Sequence, residues 1–361
     1  MADLEPSNNQ NAEALAAEDM IVDAALRQHL LTAVIDALDQ YIFADKAAAM
    51  QQDLRQRLEG GGYGDIQGAM QLADTLTTQL QVLGQDSHLK VYYSPQPLPD
   101  LSPDNEPLPE EIARQRYLSG WRNFDINRVE RLAGNVGYLE LYGFPPTEFA
   151  AETAIAAMQF LTHTKALIVD LRHNGGGAPG MVALLCSYLF PEYPPIHLND
   201  LYWRAKDETH QWWTLPYVPG QRYVDKPVYV LTSEETASAA EEFTYNLKQL
   251  KRATVVGETT RGGANPGVGR RIHDHFWMFV PTGRAINPIT GENWEGTGVL
   301  PDVKVPSELG LKTAHLMALE KLLETAQESA FVREIQSSIY RVQQDLNELR
   351  KDLIAQLKVK P

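Results

Sequence analysis

A serine stands where an apolar run gives way to small residues and then to an amphipathic stretch. The segment is Thr232-Ser233-Glu234-Glu235-Thr236-Ala237-Ser238-Ala239-Ala240-Glu241-Glu242-Phe243. At a strand-to-helix junction a hydroxyl lies beside N–H groups that lack intrahelical partners and beside the positive end of the helix dipole. Both favour the anion that forms when a serine attacks a carbonyl. Ser238 is therefore a candidate nucleophile, although a helix capped by Ser238 or Thr236 explains the same pattern.

A second segment, Asp170-Leu171-Arg172-His173-Asn174-Gly175-Gly176-Gly177, places glycines directly after a continuous apolar run. Such a turn lets backbone N–H groups face a ligand with no side chain in the way, or it simply turns tightly. The G-x-G-x-x-G spacing of a dinucleotide site is missing, and no phosphate-loop lysine follows. No cofactor is expected. A third segment, residues 283–302, is dense in glycine, proline and asparagine, and so consists of ordered turns. Within it Glu295 is suited to orienting a catalytic group. A serine at its ordinary pKa is a poor nucleophile and needs a base. His275, in the alternating run Ile272-His273-Asp274-His275-Phe276, is the first candidate, ahead of His173 and Glu140.

In this order the motifs Asp-Leu-Arg-x-Asn-x-Gly-Gly, Thr-Ala-Ser-Ala-Ala-Glu, Arg-Ala-Thr-Val-Val-Gly-Glu and Gly-Val-Leu-Pro-Asp resemble the tail-specific (C-terminal processing) serine protease superfamily. The runs Asp86-Ser87-His88-Leu89, Gly262-Gly263-Ala264-Asn265-Pro266-Gly267 and Asn293-Trp294-Glu295-Gly296 are similar to its interphotoreceptor retinoid-binding-protein-like branch. The resemblance covers about residues 20–306. It implies an α/β fold, a crotonase/ClpP-like ββα core preceded by a small helical bundle; the long C-terminal helix expected beyond it rests on periodicity alone. It also implies Ser238 as nucleophile, Ala239 and Gly176 as oxyanion-hole donors, Gly177 and Asn174 at the substrate, Glu241 at the acidic position three residues on, and Glu295 as the orienting glutamate. Processing proteases carry a base lysine where this chain has Gly263. The two functions it implies are a serine peptidase-like hydrolase on peptide or related acyl substrates, and a catalytically weak or inactive module that binds an apolar small ligand.

The elements that would hold these residues follow from periodicity. Leu26, Leu30, Val34, Leu38 and Tyr41 recur at helical steps, a second helix runs from about Lys46 to the breaker Gly60-Gly61-Gly62, and a third carries Leu72, Leu76, Leu80 and Leu83. Six prolines between Ser94 and Glu110 preclude a helix interior there, although Leu89 to Tyr93 reads as a strand that could pair with the second domain. From Val136 onward strands alternate with helices: strands at 136–141, 166–171, 227–232 and 254–256, with Thr147 a possible cap of the first helix. The expected division is a flexible start at 1–19, a bundle at 20–88, linker and edge elements at 89–133, the core at 134–306 and a helical extension at 307–361. In that extension Ile335, Ile339, Val342, Leu346, Leu349 and Leu353 form a heptad seam, which can pack on its own domain or join two copies in a homodimer.

Composition excludes other classes. With 32 basic against 47 acidic residues the net charge is −15, which repels nucleic acid and anionic lipid. The single cysteine, Cys186, sits in an apolar run and permits neither an internal disulfide nor a cysteine cluster that could hold zinc. No apolar run reaches the ~18 residues a membrane span needs. The polar, acidic first twenty residues lack the pattern of a secretory signal, so the expected location is cytoplasmic.

Overall fold

The structure, a computed structural model, describes residues 19–99 and 108–359. Three helices open it, α1 (Ala24–Ala37), α2 (Ala44–Glu59) and α3 (Ala69–Gly84), followed by β1 (Lys90–Tyr93), α4 (Pro109–Trp121) and β2 (Ile126–Leu132). The chain continues through β3 (Val136–Leu141), α5 (Thr147–Leu161), β4 (Ala166–Asp170), α6 (Pro179–Leu189), β5 (His197–Trp203), β6 (Glu208–Trp213) and β7 (Val228–Thr232). Then come α7 (Ala239–Gln249), β8 (Thr254–Gly257), β9 (Gly267–His273), β10 (Phe276–Pro281), β11 (Gly283–Ile286), β12 (Val303–Lys304), α8 (Ser307–Thr325) and α9 (Ser329–Val359).

These elements form two compact units, one of Met1–Leu108 with Gly267–Thr282 and one of Pro109–Pro266 with Gly283–Pro361. The first unit holds the three helices whose leucines repeat at helical spacing. Leu30, Val34, Leu38, Leu72, Leu76 and Leu80 are all buried in it. Asp23 starts α1 by accepting the Leu26 N–H at 2.8 Å. Among the described residues of the three-helix bundle, the extended pairing is an isolated bridge between Ile21 and Gly68. Here β1 pairs antiparallel with β10, and β10 with β9. The β9–β10 hairpin thus leaves the stretch expected as one core and joins the helices, because Val91 and Met278 bury themselves as cross-strand partners.

The second unit is a three-layer α/β/α structure. Its six-stranded sheet has the order β12-β8-β7-β4-β3-β2, parallel throughout except for β2. Both faces are covered, which is why its strands read as unbroken apolar runs. Leu167, Val169, Val228 and Val230 face α5, α6 and α7. Ala166, Ile168, Tyr229 and Leu231 face α8 and α9. A small antiparallel sheet, β11-β5-β6, completes the unit.

The sequence pattern did not reveal α4 inside the expected linker. Of its residues only Ser119 is buried, while Ile112, Tyr117, Leu118 and Trp121 are exposed, so no apolar face recurs. Pro109 opens this helix at the position where its missing N–H costs nothing. Pro103 and Pro107, and all but Asp19 of the flexible start expected for residues 1–19, lie outside the described residues. Thr147 is the first residue of α5 and makes no side-chain cap bond. The heptad seam packs within its own unit: Ile335, Val342 and Leu346 are buried, and Ile335 and Val342 belong to the core under the sheet. Lys312 of α8 pairs with Asp345 of α9. Among the described residues no helix is long and apolar enough to cross a membrane.

Candidate functional site

Three loops leave the C-terminal ends of the adjacent parallel strands β4, β7 and β8, the end at which open α/β sheets bind ligands. The first carries the glycine run, the second Ser238, the third residues 258–265. Side chains stitch the first two together. Thr236 Oγ1 donates to Leu171 O at 2.8 Å, the Ala237 N–H donates to Asn174 O at 3.0 Å, and Ser233 Oγ donates to Arg172 O.

Ser238 lies in the turn before α7 with φ 55° and ψ −123°. Ser238 does stand at the N-cap of α7, with Glu241 reaching back to its N–H as in a capping box, but an N-cap ordinarily adopts the extended region and this backbone does not. A non-glycine residue held there stores roughly 1–3 kcal/mol of strain, which persists only where surrounding contacts enforce it. A sharp strand-to-helix turn is also how α/β-hydrolases present their nucleophilic serine. Ser238 is half-buried.

Gly176 approaches this serine closely: a Cβ built on it would lie 2.6 Å from Ser238 Cβ and 3.0 Å from Ala239 N. Its φ of 108° also disfavours any side chain. Gly176→Ala is therefore expected to block reaction at Ser238 outright and to cost about 1–3 kcal/mol of stability. Reaction with a serine-directed phosphonate, set beside a thermal melt, checks both. The Gly176 N–H donates to Asn174 Oδ1 at 2.9 Å, while Ala239, at the first position of α7, has no intrahelical acceptor. Asn174 is fully buried, and its Nδ2 donates to Leu141 O at 3.1 Å. It braces the loop from beneath, and its amide is already engaged rather than turned to a substrate. The exposed Gly177, at φ 143°, keeps its backbone against Phe144, whose O accepts from Ala178 N at 2.6 Å.

Behind the serine, Glu241 is fully buried and accepts four hydrogen bonds. They come from Ser238 N at 2.9 Å, Thr260 Oγ1 at 2.5 Å, Gly262 N at 2.6 Å and Gly263 N at 2.8 Å. Burial raises its pKa and these donors pull it back. Glu295 holds the next residues, accepting Ala264 N at 2.6 Å and Asn265 N at 3.2 Å through Oε2. Trp294 Nε1 donates to Gly263 O at 2.8 Å. The third loop is thus pinned by two carboxylates and an indole. Gly263, at the place of the processing proteases' lysine, is one of the residues so pinned.

The histidines are placed as follows. His173 is exposed and its Nδ1 lies 3.0 Å from Glu235. Glu140 accepts from Asn127 at 2.5 Å on β3. His275 belongs to the first unit, in the β9–β10 turn, with Nδ1 2.9 Å from Ser94 O. The same unit contains another imidazole, His88, to which the motif Asp86-Ser87-His88-Leu89 gave no role. His88 follows the buried Asp86, whose Oδ1 accepts the His88 N–H at 3.0 Å and whose Oδ2 accepts Tyr41 Oη–H at 3.1 Å. The Asp-x-His spacing, which lets a carboxylate hold the following turn, was the available signal.

Cys186 is buried, and its thiol is pushed up by burial and then by Glu242. Burial pushes the Glu242 carboxyl up to about 8. An acid whose folded pKa lies above its unfolded value keeps an extra proton in the native state. Stability therefore falls as pH rises from the ordinary carboxylate range to about 8, then levels off. Glu242→Gln is expected to flatten that slope, read as urea midpoints between pH 5 and 9.

Residues 135–305 match the model of peptidase family S41, and residues 12–117 match that of the N-terminal domain of peptidase S41 in eukaryotic IRBP. A tail-specific protease of Haemophilus influenzae (strain ATCC 51907 / DSM 11121 / KW20 / Rd) is 32% identical over 160 residues, which are 41% of this chain and 21% of that protein. The chain thus spans about a fifth of that relative. Among solved structures, a lipoprotein from Streptococcus agalactiae aligns with a TM-score of 0.51 at 16% identity, covering 81% of this chain and 95% of that one. The tricorn protease aligns with a TM-score of 0.51 at 14% identity, covering 88% of this chain and 37% of that one. At these identities the two structures speak for the fold.

Proposed function

Since the chain belongs to peptidase family S41, we propose that it is a serine hydrolase that cleaves peptide or related acyl substrates through an acyl-enzyme on Ser238. The observation that carries this is the backbone of Ser238, held at positive φ against Gly176 at the mouth of three loops. Capping α7, which Ser238 also does, does not by itself require this conformation. The developing oxyanion is received by the Ala239 N–H and by the glycine loop, with the Gly176 N–H shared between Asn174 Oδ1 and the anion. Glu241 holds the serine turn, and Glu295 keeps the third loop rigid.

The reading needs a base, because glycine occupies the lysine's place at 263, and His275 remains the first candidate by sequence. His275→Ala, with reaction at Ser238 as the readout, tests it. The reading needs a peptide partner and no cofactor. A homodimer through α9 would have to use its exposed end, at Leu349 and Ile354, since the rest of the seam faces its own unit.

Incubation of the purified protein with a fluorophosphonate, followed by mass spectrometry of the labelled peptide, tests the proposal. Modification at Ser238 is expected. An unlabelled protein would leave the second function, a module that binds an apolar ligand without cleaving anything.

A further inference from the structure

The first residues of β3 and β4 lie at the end of the sheet away from Ser238, roughly 20 Å along the strands from the glycine loop. Gly134 and Asn135, at φ 74° and 58°, turn the chain tightly from β2 into β3. The Lys165 N–H donates to Asn135 O at 2.8 Å, so this turn and the start of β4 form one wall. Opposite it α8 gives way to α9, where Ala326 adopts extended backbone and Ser329 begins the next helix. Between the wall and this break lies a cavity of about 590 Å³, within the range of small-molecule sites.

The lining of this cavity is divided by charge. Arg131 of β2 and Lys165 line the sheet side, Glu328 and Glu334 line the helix side, and Leu322, Phe331 and Ile335 supply apolar surface. Among the described residues, none of these four charged side chains joins an ion pair or a hydrogen bond. The cations of one wall therefore stand beyond ion-pair distance of the carboxylates of the other. Ile335 and Leu322 belong to the packed layer under the sheet, which makes the floor rigid, whereas Phe331 is 60% exposed. Phe331 and Glu334 stand three residues apart, hence on one face of α9.

We propose that this cavity binds a short peptide with free ends and apolar side chains, its carboxylate on Arg131 and Lys165 and its ammonium group on Glu328 and Glu334. An anion alone would meet two carboxylates, and a cation alone would meet two cations. A wholly apolar molecule would take water from four charges and return nothing to them. A zwitterion serves both walls, while its side chains cover Leu322 and Phe331. Arg131 offers the paired donors that fit a carboxylate, with Lys165 as a point charge beside it. Because the two walls stand beyond ion-pair distance, the ligand's charges must be separated as the ends of a peptide are. A free amino acid joins both charges at one carbon and leaves most of the space unfilled. Peptides of this kind are what hydrolysis at Ser238 would release, yet their binding here depends on the cavity alone, whether or not the serine reacts.

The test is isothermal titration of the whole chain with leucyl-alanyl-leucine, using Ser238→Ala so that no chemistry at the serine consumes the peptide. Saturable binding with a Kd below about 1 mM is expected. N-acetylation or C-terminal amidation of the tripeptide should each weaken it about fivefold or more. Arg131→Gln with Lys165→Gln should erase the cost of amidation, and Glu328→Gln with Glu334→Gln the cost of acetylation. All four side chains are exposed, so thermal melts of these variants should match the parent. Phe331→Ala removes no charge and should weaken every form of the peptide alike. No saturable binding in the millimolar range would overturn the site. So would a peptide blocked at both ends that binds as well as the free one, or free leucine binding as tightly as the tripeptide. A charge dependence that survives both pairs of substitutions would overturn it too, and would place the peptide at Ser238 instead.

Discussion

Ser238→Ala is expected to abolish fluorophosphonate labelling and to lower turnover of any substrate by about 10⁴-fold or more. What remains would be the residual rate due to the oxyanion hole and binding. Stability should stay within about 1 kcal/mol, because alanine at φ 55° bears much the same backbone strain as serine, and the bond from the residue-238 N–H to Glu241 is kept. Loss of labelling together with several kcal/mol of stability would point instead to a structural hydroxyl. Parallel melts of the two proteins separate these outcomes. Ser238→Gly refines the test: glycine accepts this backbone without strain, so the variant should be inactive yet no less stable than the alanine one. A glycine variant that melts well below the alanine variant would mean that the turn is not under strain.

How much of this was legible beforehand differs from element to element. The strands β4 and β7 were plain, because a sheet covered on both faces writes unbroken apolar runs into the chain. The glycine loop and Ser238 were legible for a related reason: turns at the ends of buried strands demand particular residues. Asn174 was named but given a different task, since the same amide that could contact a substrate can brace a loop, and only its burial decides. The pairing of β1 with β10 joins residues about 190 apart in the chain, and nothing in either strand's periodicity specifies its partner. The position of His275 in the first unit follows from that pairing. The α4 helix escaped because its apolar residues do not share a buried face. The buried meeting of Asn199 with the Glu242 carboxyl was invisible for the converse reason: in the sequence they are two ordinary polar residues on separate elements.

Glu241→Ala should have the largest effect on stability of any single change at the site. The carboxylate is fully buried and accepts three backbone N–H groups and the Thr260 hydroxyl. Truncation strands all four donors where little water can reach them. Each buried polar group left without a partner costs about 1–3 kcal/mol, so a loss of about 3–5 kcal/mol is expected after partial relaxation. Labelling of Ser238 should fall with it, because Glu241 joins the serine turn to the 260–263 loop and so helps enforce the unusual backbone at 238. Glu241→Gln keeps the volume but turns an NH₂ towards N–H donors, so it should lose roughly half as much. Urea unfolding and phosphonate labelling of both variants measure the two effects separately. A variant with the wild-type urea midpoint and no labelling would make Glu241 a participant in the chemistry rather than a brace. A variant that keeps both would show that the loop is held by Glu295 and Trp294 alone, through Ala264, Asn265 and Gly263.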